Sequence, residues 1–167
     1  LNPGMYEVEM GISIKDVVEK IGGGIPDGRK LKMLQTGGPL GGVLGPDSLK
    51  VKIDFDEMAK AGAILGSGGI IIVDDRTCAV DLTKSLVAFC QYESCGKCYP
   101  CRIGSHRGME LLQKAQNSDY KIDRQLFDDL LETLEIGSLC ALGGGIPLPV
   151  NNALHYFDDR SEEHTSE

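Results

Sequence analysis

Apolar residues recur at helical spacing in four segments of the second half of the chain. The clearest segment follows Asp123, a residue type that caps helices, and places apolar side chains three or four positions apart until Gly137. The other segments cover residues 79–92, the stretch just after Cys101, and the stretch that starts near Pro149. Four short amphipathic helices joined by short loops predict a helical bundle.

The first half of the chain combines strand patterns with short helices. Ser13, with Asp16 three positions later, is typical of a helix start, and the glycines at 22–24 are expected to end that helix. Asp54 is expected to cap a second short helix that ends before Gly62. Strands are predicted at residues 6–10, 31–35, 51–53 and 69–73, the last of them buried. This order predicts a small α+β unit ahead of the bundle, and therefore an α+β fold class for the chain.

Glycine is concentrated at residues 37–42 and again at 66–69. Neither stretch has the Gly-x-Gly-x-x-Gly pattern at a helix start, and neither carries the lysine of a phosphate-binding loop. We therefore interpret both stretches as tight turns with close backbone packing.

Three cysteines, with two residues between each and the next, lie between the first and second predicted helices of the bundle. They are Cys95, Cys98 and Cys101, and a fourth, Cys140, lies between the third and fourth helices. In an antiparallel bundle these two loops fall at the same end. Three thiolates from one short loop and one from elsewhere match the ligand set of an iron–sulfur cube. The pattern therefore predicts a [4Fe–4S] cluster at this end of the bundle.

Two other metal sites remain open from spacing alone. Structural zinc uses cysteine pairs, and a three-plus-one arrangement fits a cubane better than zinc. Cys90, Cys95 and Cys98 also match the start of plant-type [2Fe–2S] spacing, which leaves Cys101 spare. Cys90 lies within a helical apolar pattern, so we interpret it as a buried thiol that packs as a small hydrophobe. Cys78 precedes the first helix of the bundle and is expected to be a structural thiol as well.

Residues beside the cysteines are expected to adapt the loop to an anionic cluster. Gly96 supplies backbone freedom for the turn and places N–H groups near the sulfurs. Lys97 and Arg102, together with Arg107, offset the negative charge of four thiolates. Gly96, Lys97 and Arg102 are therefore predicted to surround the cluster without ligating it. The histidines are expected to be surface or packing residues.

Composition narrows the function further. The chain has 167 residues, 41% of them hydrophobic, and a net charge of −8, which argues against nucleic acid and anionic membranes as partners. No apolar run approaches the roughly 18 residues of a membrane span, so no direct membrane insertion is expected. Six cysteines without a secretory signal indicate a reducing compartment and metal binding. We expect a cytoplasmic protein, with a peripheral position on a membrane complex as a further option.

The segment Ser94 to Arg102, followed by residues 138–140, resembles the NADH-oxidising flavoprotein subunit of respiratory complex I. Relatives in soluble NAD-linked hydrogenases and formate dehydrogenases share this pattern. The glycine stretches at 37–42 and 66–69 are similar to that family's SLBB β-grasp domain. The resemblance implies a β-grasp-like domain at residues 1–75, a [4Fe–4S]-binding four-helix bundle at 76–160 and a tail at 161–167. It also implies that the ligands are Cys95, Cys98, Cys101 and Cys140.

In the family that it resembles, such a cluster takes single electrons from FMN after NADH delivers a hydride. The FMN and NAD sites of the family belong to a preceding domain that this chain lacks. The chain begins at Leu1 and is expected to be a piece of a longer protein. The predicted function is the electron-relay portion of an NADH-dependent oxidoreductase, with other iron–sulfur subunits as partners. The alternative is a structural iron–sulfur domain that docks partner subunits.

Overall fold

The structure, a computed structural model, describes residues 1–118 and 120–161, with side chains up to residue 156. The chain divides into two compact units, the first spanning Leu1–Thr77 and the second starting at Cys78. The first unit mixes strands and helices, and the second is helical in the residues described. The fold class is therefore α+β, as predicted.

A three-stranded antiparallel sheet forms the centre of the first unit. Its strands are β1 (Leu31–Thr36), β2 (Val43–Leu44) and β3 (Ile70–Asp74), arranged in the order β2-β1-β3. Leu34 pairs with Leu44 on one side and with Ile72 on the other. One face of the sheet contributes to an apolar core, which side chains from the helical segments of the unit complete. The core residues include Ile14, Val18, Leu34, Leu44, Met58 and Leu65.

Both predicted helix caps of the first unit are confirmed. The hydroxyl of Ser13 accepts the Asp16 N–H at 3.0 Å at the start of α1 (Ile14–Asp16), which continues as a π-helical turn, Val17–Ile21. Asp54 accepts the Glu57 N–H at 2.8 Å and opens α2 (Phe55–Lys60). These side-chain acceptors satisfy N–H groups that have no partner within the helix.

Of the strand predictions for the first unit, the one at residues 6–10 is wrong and two others are wrong in part. Residues 6–10 form no strand. The N-terminal segment instead contacts the end of the first helix, where the Asn2 N–H donates to the Gly22 carbonyl at 2.8 Å. Residues 51–53 contribute only a single bridge, from Lys52 to Ser13. β3 exists at an edge of the sheet, but it is not buried, since Ile71 is 54% exposed and Ile72 is 37% exposed. An apolar run alone does not distinguish an edge strand from a central one.

The glycine-dense turns pack backbone against backbone, as interpreted from the sequence. A Cβ on Gly66 would lie 2.9 Å from the Gly37 Cα, and a Cβ on Gly41 would lie 2.6 Å from the same atom. Gly37 also has a φ of 67°, a conformation that favours glycine. These contacts leave no room for side chains at Gly37, Gly41 and Gly66.

Five α-helices build the second unit over its described residues. They are α3 (Ala79–Glu93), α4 (Ser105–Asn117), α5 (Arg124–Gly137), α6 (Ala141–Gly145) and α7 (Pro147–Ser161). Four of them match the predicted segments, and Asp123 caps α5 by accepting the Leu126 N–H at 3.1 Å. The short α6 was not predicted, and α7 begins two residues before Pro149. The predicted tail falls mostly on residues 162–167, which lie outside the described residues.

The core of the second unit is formed by the facing sides of these helices. α3 packs against α4 and α7, and α5 packs against α6 and α7. The side chains that are buried there include Leu86, Val87, Leu112, Phe127, Leu131, Leu134 and Val150. In the part of the chain that is described, none of the helices has the length and hydropathy needed to cross a bilayer.

Candidate metal centre

The loop that carries Cys95 and Cys98 begins where α3 ends. Ser94 is the C-cap of α3, and its extended backbone directs the chain away from the helix axis. Gly96 has a φ of 73°, so the turn between the two cysteines uses the conformational freedom predicted for this glycine. The Gly96 N–H donates to the Ser94 hydroxyl at 3.3 Å. The two cysteines therefore stand on a tight turn that the end of α3 holds in place.

Cys101 lies in a π-helical turn, Pro100–Gly104, that leads into α4. Wide turns of this kind are rare and occur frequently at functional sites. The Arg102 N–H donates to the Cys98 carbonyl at 3.0 Å, which connects this turn to the preceding loop. Cys101 itself is buried, with 4% of its surface exposed. The third cysteine is therefore fixed within the bundle, whereas Cys95 is on the surface.

Glycines bring the Cys140 loop against the first cysteine loop. A Cβ on Gly137 would lie 2.8 Å from the Pro100 Cγ. A Cβ on Gly143 would lie 2.8 Å from the Cys101 Cβ and 2.7 Å from the Ser138 Cβ. Side chains at these two positions would therefore separate the loops. The prediction that both loops lie at the same end of the bundle is confirmed.

The backbone next to Cys140 also reaches Cys98. The Leu139 N–H, and after it the Cys101 N–H, holds the pKa of the Cys98 thiol below its ordinary value by hydrogen bonding. Hydrogen bonds of this kind favour the thiolate, which is the form that binds iron. The residue adjacent to Cys140 therefore already contacts one of the other three cysteines.

The four cysteines differ in exposure. Cys95 and Cys140 are exposed, Cys98 is partly buried and Cys101 is buried. Within residues 1–118 and 120–161, no group of three or more histidine, cysteine or acidic side chains could hold a metal ion. A [4Fe–4S] cluster requires its thiolates around a cube rather than around a single ion, so the relevant observation is the adjacency of the two loops. The donor set is the one that such a cluster uses, and the two loops that carry it lie side by side.

Cys90 and Cys78 lie outside this arrangement of loops. Cys90 is on α3 with 1% of its surface exposed, and burial, followed by the proximity of Cys101, raises its pKa to about 11. Cys78 is the N-cap residue of α3 and is partly buried. The burial of Cys90 within α3 agrees with its interpretation as a packing residue.

The basic residues near the loop have mixed surroundings. The Arg102 guanidinium lies 4.9 Å from the centre of the Tyr99 ring, a cation–π contact beside Cys101. Lys97 is exposed. Arg107 instead pairs with Glu110 at 2.6 Å, so its charge is already balanced within α4. His106 interacts with Glu110 and with Gln91 through its two ring nitrogens, which agrees with the prediction that it is not a ligand.

Two serines of the site have a role that the spacing of the motifs does not predict. The Ser94 hydroxyl lies 3.3 Å from the Cys101 sulfur. The Ser138 hydroxyl is buried, and no hydrogen-bond partner for it exists among the described residues. Both serines adjoin the cysteine motifs, but spacing alone gives no indication of the direction in which a hydroxyl points.

Comparisons with known proteins identify the family of the chain. The family described as the NADH-ubiquinone oxidoreductase-F iron–sulfur binding region matches residues 81–164. The chain is 40% identical over 167 residues to the NADP-reducing hydrogenase subunit HndC of Solidesulfovibrio fructosivorans, covering 99% of this chain and 34% of the relative. It is 36% identical over 166 residues to the F 2 subunit of NADH-quinone oxidoreductase from Rhizobium meliloti (strain 1021), covering 99% of this chain and 39% of the relative.

Among solved structures, an NAD+-reducing [NiFe]-hydrogenase in the H2-reduced state matches with a TM-score of 0.83 and 26% identity. The match covers 98% of this chain and 27% of the hydrogenase chain. The chain thus spans between a third and two fifths of the length of the curated relatives named here. Because the family match covers half of its residues and includes all four cysteines of the two loops, the chain belongs to the NADH-ubiquinone oxidoreductase-F iron–sulfur binding region family.

Proposed function

We propose that Cys95, Cys98, Cys101 and Cys140 bind a [4Fe–4S] cluster and that the chain is the electron-relay portion of an NADH-dependent oxidoreductase. The observation that carries this proposal is the packing of Gly143 against Cys101, which brings the two cysteine loops together. When bound, the cluster supplies one-electron transfer chemistry. Its position and potential are determined by the protein.

Each neighbouring residue has a definite task in this proposal. Gly96 turns the backbone so that Cys95 and Cys98 can point the same way. The Leu139 N–H donates a hydrogen bond to Cys98 and favours its thiolate form. Lys97 and Arg102 supply positive charge on the exposed side of the loop, where an anionic cluster needs it.

The exposure of the ligands favours relay over a purely structural role. A cluster held by exposed Cys95 and Cys140 and by buried Cys101 has one side inside the bundle and one side at the surface. Tyr99, Ile136 and Leu139 adjoin the cysteine loops in sequence and are 72–76% exposed. Contiguous exposed apolar patches are typical of interaction sites, and we take these three side chains as part of one. A partner that covers this surface can therefore come close to the cluster.

The partners in this proposal are the flavin-bearing part of the larger protein and other iron–sulfur subunits of an oxidoreductase complex. FMN and NAD are expected on that larger protein, because this chain spans only part of its relatives. We propose that the first unit is the β-grasp domain and the second the cluster-binding bundle, in a complex on the cytoplasmic side. The relatives that support this are named as subunits of NADH-quinone oxidoreductase and of a hydrogenase.

The test is anaerobic reconstitution of the 167-residue chain with iron and sulfide. The wild type should take up about four irons per chain and give a cubane electron paramagnetic resonance signal after reduction with dithionite. Serine substitution at any of the four proposed ligands should abolish or convert this signal. Cys90→Ser is the matched control within the same unit and should retain the signal, since Cys90 is a buried packing residue.

Two results would count against the proposal. Loss of the cubane signal in Cys90→Ser, together with its retention in Cys101→Ser, would overturn the assignment of Cys101 as a ligand and favour Cys90 in its place. A fully loaded wild type that dithionite does not reduce would support the structural alternative, in which the cluster only holds the domain against its partners.

A further inference from the structure

We propose that Ser94 and Ser138 are positioning residues whose hydroxyls donate hydrogen bonds to the sulfur atoms around Cys101 and raise the reduction potential of the bound cluster. This inference rests on the proposed function. It concerns two residues that are not ligands. It follows from the donors and acceptors that surround Cys101, the only buried cysteine of the four.

The direction of the Ser94 hydrogen bond follows from its two neighbours. A serine hydroxyl has one proton to donate and two lone pairs that accept. The Gly96 N–H donates to Ser94 Oγ at 3.3 Å, so one lone pair is used and the hydroxyl proton remains available. The Cys101 sulfur lies 3.3 Å from the same oxygen. A cysteine that binds iron is a thiolate and carries no proton, so Ser94 must be the donor.

Ser138 reaches the same place from the other loop. Its Cβ and the Cys101 Cβ lie within 2.8 Å of the position that a Cβ on Gly143 would occupy. Its hydroxyl is buried and has no hydrogen-bond partner in the part of the chain that the structure describes. Buried hydroxyls without a partner are rare, because desolvating them without compensation is unfavourable. The group that the proposed function places beside Cys101 offers the missing acceptor.

Both hydroxyls should act in the same direction on the potential. Reduction adds negative charge to the cluster and its thiolates, and hydrogen bonds to the sulfurs stabilise that charge. Hydrogen bonds to charged groups are stronger than those between neutral groups. The reduced state therefore gains more from each donor than the oxidised state does. Removing a donor lowers the midpoint potential without removing a ligand.

The experiment uses the reconstituted 167-residue chain carrying Ser94→Ala, Ser94→Thr or Ser138→Ala, with dithionite as reductant and the cubane paramagnetic signal as readout. Each alanine variant should load iron as the wild type does but show a roughly tenfold smaller equilibrium constant for one-electron reduction, which is a downward shift of about 59 mV. Ser94→Thr keeps the hydroxyl and should restore the wild-type midpoint. Ser85→Ala is the matched control, because the Ser85 hydroxyl donates to the Asp81 carbonyl of its own helix.

Each outcome decides the question. Midpoints of loaded Ser94→Ala and Ser138→Ala that equal that of the wild type would overturn the inference. If Ser94→Ala fails to load, Ser94→Thr decides: restored loading and midpoint support the hydroxyl role, and continued failure overturns it. If the wild type itself forms no reducible cubane, or keeps it after serine replaces a proposed ligand, the proposed function fails first. A normal wild type with unshifted variants overturns only the role of the serines.

Discussion

Substitution of Gly143 by alanine should specifically separate the two cysteine loops. Gly143 is in α6, where a Cβ would lie 2.8 Å from the Cys101 Cβ and 2.7 Å from the Ser138 Cβ. These are atoms close to the backbone rather than ends of flexible side chains, so the loops themselves have to move. We therefore expect Gly143→Ala to reduce both the stability of the second unit and its capacity for iron.

Helix propensity and overpacking act in opposite directions on the free energy of unfolding of Gly143→Ala. Alanine is favoured over glycine in a helix by about 0.8–1.0 kcal/mol. Overpacking in a closely packed region costs about 1–3 kcal/mol. Gly144→Ala is the matched control, because it has the same gain in helix propensity in the same helix. Its Cβ would make an ordinary contact, 3.4 Å from the Glu135 carbonyl oxygen. The difference between the two variants therefore isolates the overpacking, about 1–3 kcal/mol.

Thermal unfolding and iron content measure the two consequences. A difference of 1 kcal/mol corresponds to a change in Tm of about 4–8 °C for a domain of this size. Gly143→Ala should melt below Gly144→Ala by at least that amount and should bind fewer irons per chain after anaerobic reconstitution. If both variants melt together and load iron equally, the close approach of the loops at Gly143 is not required for the site.

Three further predictions concern the bundle itself. Asp123→Ala should lower the free energy of unfolding by about 1 kcal/mol in urea titrations, because the cap of α5 is lost; an unchanged midpoint would contradict the role of the cap. Phe127→Ala should cost about 3–5 kcal/mol in the same assay, since Phe127 is 1% exposed and leaves a cavity; a loss below that of Asp123→Ala would contradict its place in the core. Hydrogen bonds from Gln116 and then Lys84 lower the pKa of Asp81. The stabilisation from Asp81 should therefore be present above its unfolded pKa of about 3.9 and be lost as pH falls through the lower folded value. Wild type should lose more stability than Asp81→Asn between about pH 6 and pH 3, and equal losses would refute this.

The helices and the cysteine loops were predictable because their signals are local. Asp123 and the apolar spacing that follows it specify both the start and the buried face of α5. The placement of the two cysteine loops at one end followed from helix order alone. The short α6 was missed because three of its five residues, Gly143, Gly144 and Gly145, are glycines, which disfavour helix.

Contacts between elements were harder to predict from the sequence. The alternation at residues 6–10 resembles a strand, but a strand needs a neighbouring strand, and these residues pair with none. Gly137 and Gly143 carry no motif that reveals their packing against Pro100 and Cys101. The orientation of the Ser138 hydroxyl likewise depends on which backbone approaches it. Such features become visible only when two loops distant in sequence are placed side by side.

The apolar core of the second unit also bears on the choice between relay and structural roles. In small metal domains the metal supplies much of the folding free energy, because few side chains are buried. Here α5 alone buries Phe127, Leu131 and Leu134, and they belong to a core shared with α3, α4 and α7. Fully burying one such side chain contributes about 1.5–3 kcal/mol. A bundle with this core has little need of a cluster to hold its helices together. The surface position of Cys95 and Cys140 is then better explained by electron exchange with a partner than by a need for stability.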